Sequence, residues 1–328
     1  MNRHGRAVPV QAVCACVLIA ASCRQPGPSS APVSPQSAAT ITTLFAPGQI
    51  STGDFELNST FTPDGRTIYY TKRSPKPQYW VVVESHLVNG AWSAPAAASF
   101  SGQYNDFDPF VSPDGSRLYY SSNRPVSGES KSDFDIWYVE RIGAGWSEPR
   151  HLPAPVNTPR SEFYPSVSRN GSLYFSSDRP GGLGGLDIYR ARPEGDTYVV
   201  ENLGTAVNSP QSDGDPAISA NDSTIFFAGS GRAGGLGERD IYVSMRLPSG
   251  EWSVPRNLGV EVNSPTVEFC PILSPDGRYL FITSDRGFAD RPMTQALTYS
   301  QFEARAHGPG NGLGDVYRVD LRALGIVP

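Results

Sequence analysis

The sequence predicts an all-β fold, a β-propeller of four-stranded antiparallel blades, and three observations predict it. A turn followed by an aliphatic and aromatic strand recurs five times, anchored at Ile68, Leu118, Leu173, Ile225 and Leu280, at intervals of 50 to 55 residues. Within each interval, short apolar bursts alternate with turn signals often enough for four strands. The 33 glycines and 30 prolines are spread along all 328 residues, and no stretch offers a long capped helix. One such sheet cannot bury both of its faces, so the units are expected to pack radially as five blades. Six is the alternative if the insertion after Arg286 hides another.

At the N-terminus, Arg3, His4 and Arg6 precede an apolar run, Ala7 to Ala21, interrupted by Pro9 and Gln11. Residues 1–22 therefore read as a secretory signal, too short to span a bilayer as a stable helix. The run ends Ile19-Ala20-Ala21-Ser22-Cys23, which resembles the lipobox of bacterial lipoproteins, with Ala20 where leucine is usual. That resemblance implies cleavage before Cys23, its lipidation, and a place in the bacterial cell envelope, with the membrane reached through the lipid anchor only. An ordinary cleaved signal leaving a soluble chain is the alternative. Residues 23–40, rich in Pro, Ser, Ala and Gln, lack periodicity and read as a tether, leaving 41–328 as a single domain. Of the four cysteines only Cys270 follows Cys23, so an acylated Cys23 leaves no intrachain disulfide.

Each blade is expected to run as follows. Strand a is short, as in Pro109-Phe110-Val111-Ser112. A turn then leads into strand b: Pro63-Asp64-Gly65, Pro113-Asp114-Gly115, Asn170-Gly171, Asn221-Asp222 or Pro275-Asp276-Gly277. Strand c opens at Asp135-Ile136, Asp187-Ile188, Asp240-Ile241 and Asp315-Val316, and strand d carries Trp92, Trp146, Tyr198 or Trp252. Together, Ser-Pro-Asp-Gly, Leu-Tyr-Tyr-Ser-Ser-Asn-Arg, Asp-Ile-Trp/Tyr and Trp-Ser-Glu-Pro resemble the WD-like repeat of TolB-type propellers, over residues 41–323. The resemblance implies the propeller fold and, by analogy, a binding or scaffold role. Ile41 to Ala46 matches a strand d with nothing before it, while the last segment stops after strand c near Leu321. The first strand should thus complete the last blade and remove two open sheet edges.

Two charged positions recur in register. Glu56, Asp106, Glu162, Asp213 and Glu268 each stand three residues before the Pro or Ser that opens strand a. Arg73, Arg124, Arg179, Arg232 and Arg286 follow strand b. Both sets fall at one mouth of the channel, as two facing rings. Two unpaired carboxylates about 10 Å apart repel by roughly 1.7 kcal/mol at an effective dielectric of about 20. A ring of five needs counter-charge, and bidentate arginine pairing is the structural way to supply it. A metal or cationic ligand in the ring is the alternative. The Asp of each Asp-Ile-Tyr reads as a turn cap, and Pro180 to Gly185 as a tight loop, because it lacks the Lys-Ser/Thr and helix of a phosphate loop.

Function is sought where the repeats depart from their own rule. Two residues after each ring acid come Asn58, Asp108, Tyr164, Asp215 and Cys270, which vary in type and point the same way in an extended strand. The b–c loops Pro125 to Phe134 and Gly287 to Gly314 are expanded, the larger one carrying Arg291, Tyr299, Glu303, Arg305 and His307. These are the candidates for contact with a ligand or partner. A net charge of −5 without a basic stripe excludes nucleic acid. His86, His151 and His307 fall in different blades, which disfavours a histidine-bound metal, and no catalytic triad or cofactor motif is present. The expectation is a monomeric, non-catalytic binding propeller without cofactor or metal, for an envelope protein or peptidoglycan-associated partner. A glycosidase using Asp108 and Asp215 is the alternative; it needs two carboxylates of unequal pKa at a set separation.

Overall fold

A computed structural model describes residues 41–76, 78–128, 131–290 and 293–328. The signal and tether, with Cys23, lie outside the described residues, as does Arg291. Five antiparallel sheets form five blades, with no sixth among the described residues. Blade 1 runs Phe55–Phe61 (a), Thr67–Arg73 (b) and Trp80–Val88 (c), with a broken strand d at Ala91–Trp92 and Ala96–Ala97. Blade 2 repeats this with Asp106–Val111, Arg117–Ser122, Asp135–Ile142 and two short d pieces, Gly145–Trp146 and Arg150–His151. Blade 3 is Glu162–Val167, Leu173–Ser177, Asp187–Glu194 and Thr197–Asn202. Blade 4 is Ser212–Ile218, Thr224–Ser230, Arg239–Met245 and Arg256–Asn257. Blade 5 has Glu268–Leu273, Tyr279–Ser284 and Asp315–Asp320, and takes its strand d from the start of the domain, Thr42–Leu44.

The closure is the expected one, and its register pairs Thr42 with Val319, Thr43 with Arg318 and Leu44 with Tyr317. Phe45 follows into the seam and meets Phe281 edge-on at 4.9 Å and Phe61 at 6.0 Å, joining blades 5 and 1. Strand b reads as a continuous run (Ile68-Tyr69-Tyr70, Leu118-Tyr119-Tyr120) because each sheet is covered on both faces by its neighbours, and all six residues are buried. The insertion after Arg286 holds helix α1, Tyr299–Ala306, instead of a blade.

Strand a corrects the sequence reading. It begins at or one residue before the ring acid, not three residues after it, because each strand a contains a β-bulge, which in blades 2 to 5 lets a proline sit inside the sheet. The register slips between Leu57 and Thr60, Phe107 and Phe110, Phe163 and Ser166, Gly214 and Ala217, and Phe269 and Ile272. The residue two after the acid is left-handed in every blade: Asn58, Asp108, Tyr164, Asp215 and Cys270 have φ of 47°, 56°, 53°, 54° and 50°.

Candidate functional site

The recurrent acids are fully buried in the blade walls, not displayed around an open mouth. Each one ties the linker from the preceding blade to strand b of its own. Glu162 accepts from the Thr158 N–H (3.0 Å), Thr158 Oγ1 (2.7 Å), Ser177 Oγ (2.9 Å) and Arg179 (3.1 Å). Arg179 then donates to the carbonyl of Val156 in the same linker. Glu268 repeats this with Ser264, Ser284 and Arg286, and Asp213 with Ser209 and Arg232. Asp106 accepts from Ser101 and Ser122, with Arg124 at 3.9 Å. Burial pushes the Asp106 and Glu162 carboxyls up, and the hydroxyl and arginine partners work against it.

Blade 1 departs from the pairing expected of Arg73. Glu56 pairs with Lys72 at 3.0 Å, while Arg73 stacks on Phe55 (3.7 Å) and Trp80 (5.6 Å). The cause is register: Lys72 lies directly opposite Glu56, the place Ser122, Ser177 and Ser284 hold opposite their acids. Arg73 is one residue beyond that place, whereas Arg124, Arg179 and Arg286 are two beyond it.

The five left-handed residues meet on the axis. Asn58 donates from Nδ2 to Asp108 (2.8 Å), and Asp108 also accepts from the Tyr164 N–H (3.3 Å) and Ser121 (3.4 Å). Asp215 accepts from the Cys270 N–H (3.0 Å) and from Arg239 (2.8 Å). Arg239, the first residue of strand c in blade 4, was not visible as a site residue. It passes over Gly214, where an added Cβ would stand 3.2 Å from its Nη2; the other blades carry Leu57, Phe107, Phe163 and Phe269 there. Burial pushes Asp108 well above the usual carboxylate range, and the charge of Asp215 adds to this. Asp215 is raised by burial and held back by Arg239. The Tyr164 hydroxyl and Cys270 thiol are likewise pushed up by burial. Asn58, Asp108, Asp215 and Cys270 are buried and Tyr164 half-buried. Between Asn58, Tyr164, Asp215 and Cys270 lies a pit of about 10 Å³, enough for one water.

The insertion stands apart from this cluster. Thr298 caps helix α1 through a reciprocal pair with Gln301, at 3.2 and 2.9 Å. Tyr299 donates to Glu303 (2.8 Å), His307 lies 3.9 Å from Glu303, and Arg305 faces Phe288 and Met293. The helix buries none of its residues. Asn311 fastens the segment to the Gly53 carbonyl (3.1 Å), and the His307 carbonyl lies so close against Gly53 that no side chain fits there. Among the described residues, no hydrogen bond or ion pair joins Tyr299, Glu303, Arg305 or His307 to the axial five.

At the opposite mouth, where strand a turns into strand b, the channel widens into a funnel of about 380 Å³. Its wall includes Phe61, Phe110, Val167, Ile218 and Leu273, one or more from each blade. The sequence reading placed no site there. Among the described residues, no group of three or more His, Cys, Asp or Glu is placed to hold a metal, and no helix is long and apolar enough to cross a membrane.

Fold and channel together define a five-bladed β-propeller. Solved structures similar to it include a glycoside hydrolase, with a TM-score of 0.53, 10% identity, and coverage of 85% of this protein and 92% of that one. A putative TolB from Agrobacterium tumefaciens gives 0.48 at 16% identity, covering 81% and 90%. TolB from Acinetobacter baumannii gives 0.45 at 16% identity, covering 81% of this protein, which spans about half (54%) of that TolB. No protein-family model and no curated protein matches the sequence.

Proposed function

We propose that the protein is a non-catalytic binding propeller of the bacterial cell envelope, meeting a protein or peptidoglycan-associated partner through the face that bears the b–c loops. The observation that carries this reading is helix α1. It is capped and anchored, yet it holds Tyr299 75% and Phe302 47% exposed, beside Met293 at 44% and Leu313 at 39%. Exposed aromatic side chains grouped on one projection suit partner contact, since rigid rings bury a large area at little cost in conformational entropy. The envelope location rests on the signal and Cys23 of the sequence. The test is photo-crosslinking from position 302 in envelope fractions. Adducts that disappear in the Tyr299→Ser variant, with its melting temperature unchanged, support the reading; adducts equally abundant in that variant overturn it.

A glycosidase reading has one observation in its favour: Asp108 and Asp215 come together on the axis. Both carboxylates are engaged by internal donors, and the adjoining pit has room for one water, not a sugar ring. The glycoside hydrolase neighbour shares the fold, and fold alone assigns no chemistry. Hydrolysis of a glycan by the wild type, lost in Asp108→Asn and Asp215→Asn, would favour the enzyme.

A further inference from the structure

We infer that the funnel at the a–b mouth is a second binding site, for an amphiphilic carboxylate whose apolar tail enters the channel and whose head meets Arg169. This inference is independent of the partner face proposed above.

The first residue of each a–b hairpin lines this rim: Pro63, Pro113, Arg169, Ala220 and Pro275. Four are apolar and satisfy the repeat, and blade 3 alone places a cation there. The Arg169 backbone is fixed, its N–H donating to the Ala220 carbonyl at 2.9 Å. Its exposed guanidinium makes no hydrogen bond, ion pair or ring contact among the described residues.

The other polar side chains of the lining are engaged, Thr60 by the Val111 N–H of the next blade (3.1 Å) and the rest within their own hairpins. Ser112 donates to Asp114 (2.6 Å) and Ser219 to Asn221 (2.6 Å). Asp276, the rim carboxylate, accepts from Ser274 (2.5 Å) and from the Arg278 N–H (3.1 Å); these bonds, the serine hydroxyl foremost, hold its pKa below the usual value. Beside Asp276 and Pro328, the last residue, what the funnel leaves for a ligand is the apolar inner wall and the Arg169 guanidinium. An apolar body carrying a single carboxylate complements both, and arginine takes a carboxylate through two parallel bonds.

Size sets the tail. A cavity of about 380 Å³ falls within the range of small-molecule sites, roughly 300–1,000 Å³. A saturated carboxylate of about ten carbons fits that space.

Three ligands with one tail and different heads test the inference by titration calorimetry on the full-length protein: decanoate, decyltrimethylammonium and decyl maltoside. Decanoate should bind, and bind at least roughly tenfold more tightly than the other two, as expected for a charge-assisted contact. Arg169→Gln should lose roughly that factor for decanoate, Arg169→Lys should retain part of it, and Arg160→Gln, an arginine outside the funnel, should lose none. Failure of decanoate to bind, equal affinity for the three heads, or an unchanged Arg169→Gln variant would each overturn it.

Discussion

Asp315 shows how one side chain records the way the ring is closed. Its counterparts at the start of strand c are each met by strand d of their own blade: Asp135 by His151, Asp187 by Asn202 and Asp240 by Asn257. In blade 5 strand d comes from the start of the domain and places Leu44 at that register. Asp315 keeps one hydrogen bond, from the Gly310 N–H at 2.7 Å, and its buried Oδ1 has no partner among the described residues. Burial foremost, with the charge of Glu56 adding, pushes its pKa from 3.8 up to about 7. A carboxyl with a raised native pKa holds its proton in the folded state and releases it in the unfolded one. Its contribution to stability is therefore greatest below pH about 4, falls as pH rises towards about 7, and is flat above that. Asp315→Asn keeps the acceptor for Gly310 and removes the titration. It should melt higher than the wild type at pH 8 and alike at pH 4, by calorimetry across that range. Parallel curves for the two proteins would refute the assignment.

Among elements, the linker staple is the unit that repeats, and its geometry ranks the blades. Arg179 reaches both Glu162 at 3.1 Å and two linker carbonyls, with its side chain 12% exposed, whereas Arg124 holds the one linker carbonyl of Phe100 (2.8 Å) and stands 3.9 Å from Asp106. Arg179→Ala should therefore destabilise by about 1–3 kcal/mol, the range for a charge-assisted bond to a buried partner, and Arg124→Ala by less. Urea midpoints compare them, and the reverse order would count against the staple. The sequence carried the staple only in part. Thr158, Ser209 and Ser264, four residues before their acids, are a readable signal, but hydroxyls are common in loops and suggest nothing alone. The position of the axial five was legible because the repeat has a period. Their chemistry was not, since Arg239 arrives from another strand and only Gly214, a small residue among bulky ones, hints at it. The funnel escaped notice because Phe61, Phe110 and Leu273 read as ordinary core.

Over the whole molecule, what the repeat dictates and what it leaves free separate by face. Blade count and closure follow from the period and from the orphan strand at 41–46. The two mouths differ because b–c loops vary in length while a–b hairpins stay short, so one mouth carries the insertion and the other a smooth funnel. Closure also governs how the ring unfolds. Strand d of blade 5 is held by three register pairs and by Phe45, packed against Phe281, Phe61 and Trp92. Without it, strand c at Asp315–Asp320 becomes an open edge with unpaired backbone groups, a template for pairing with another molecule. Removing residues 1–40 should leave the melting temperature and the monomer elution volume unchanged. Removing residues 1–46 should lower the melting temperature by several degrees, since a loss of about 1 kcal/mol shifts a large domain by about 2–4 °C, and should shift the elution toward dimers or larger species. A 1–46 deletion that melts and elutes like the 1–40 deletion would mean that the five blades hold their ring without the borrowed strand.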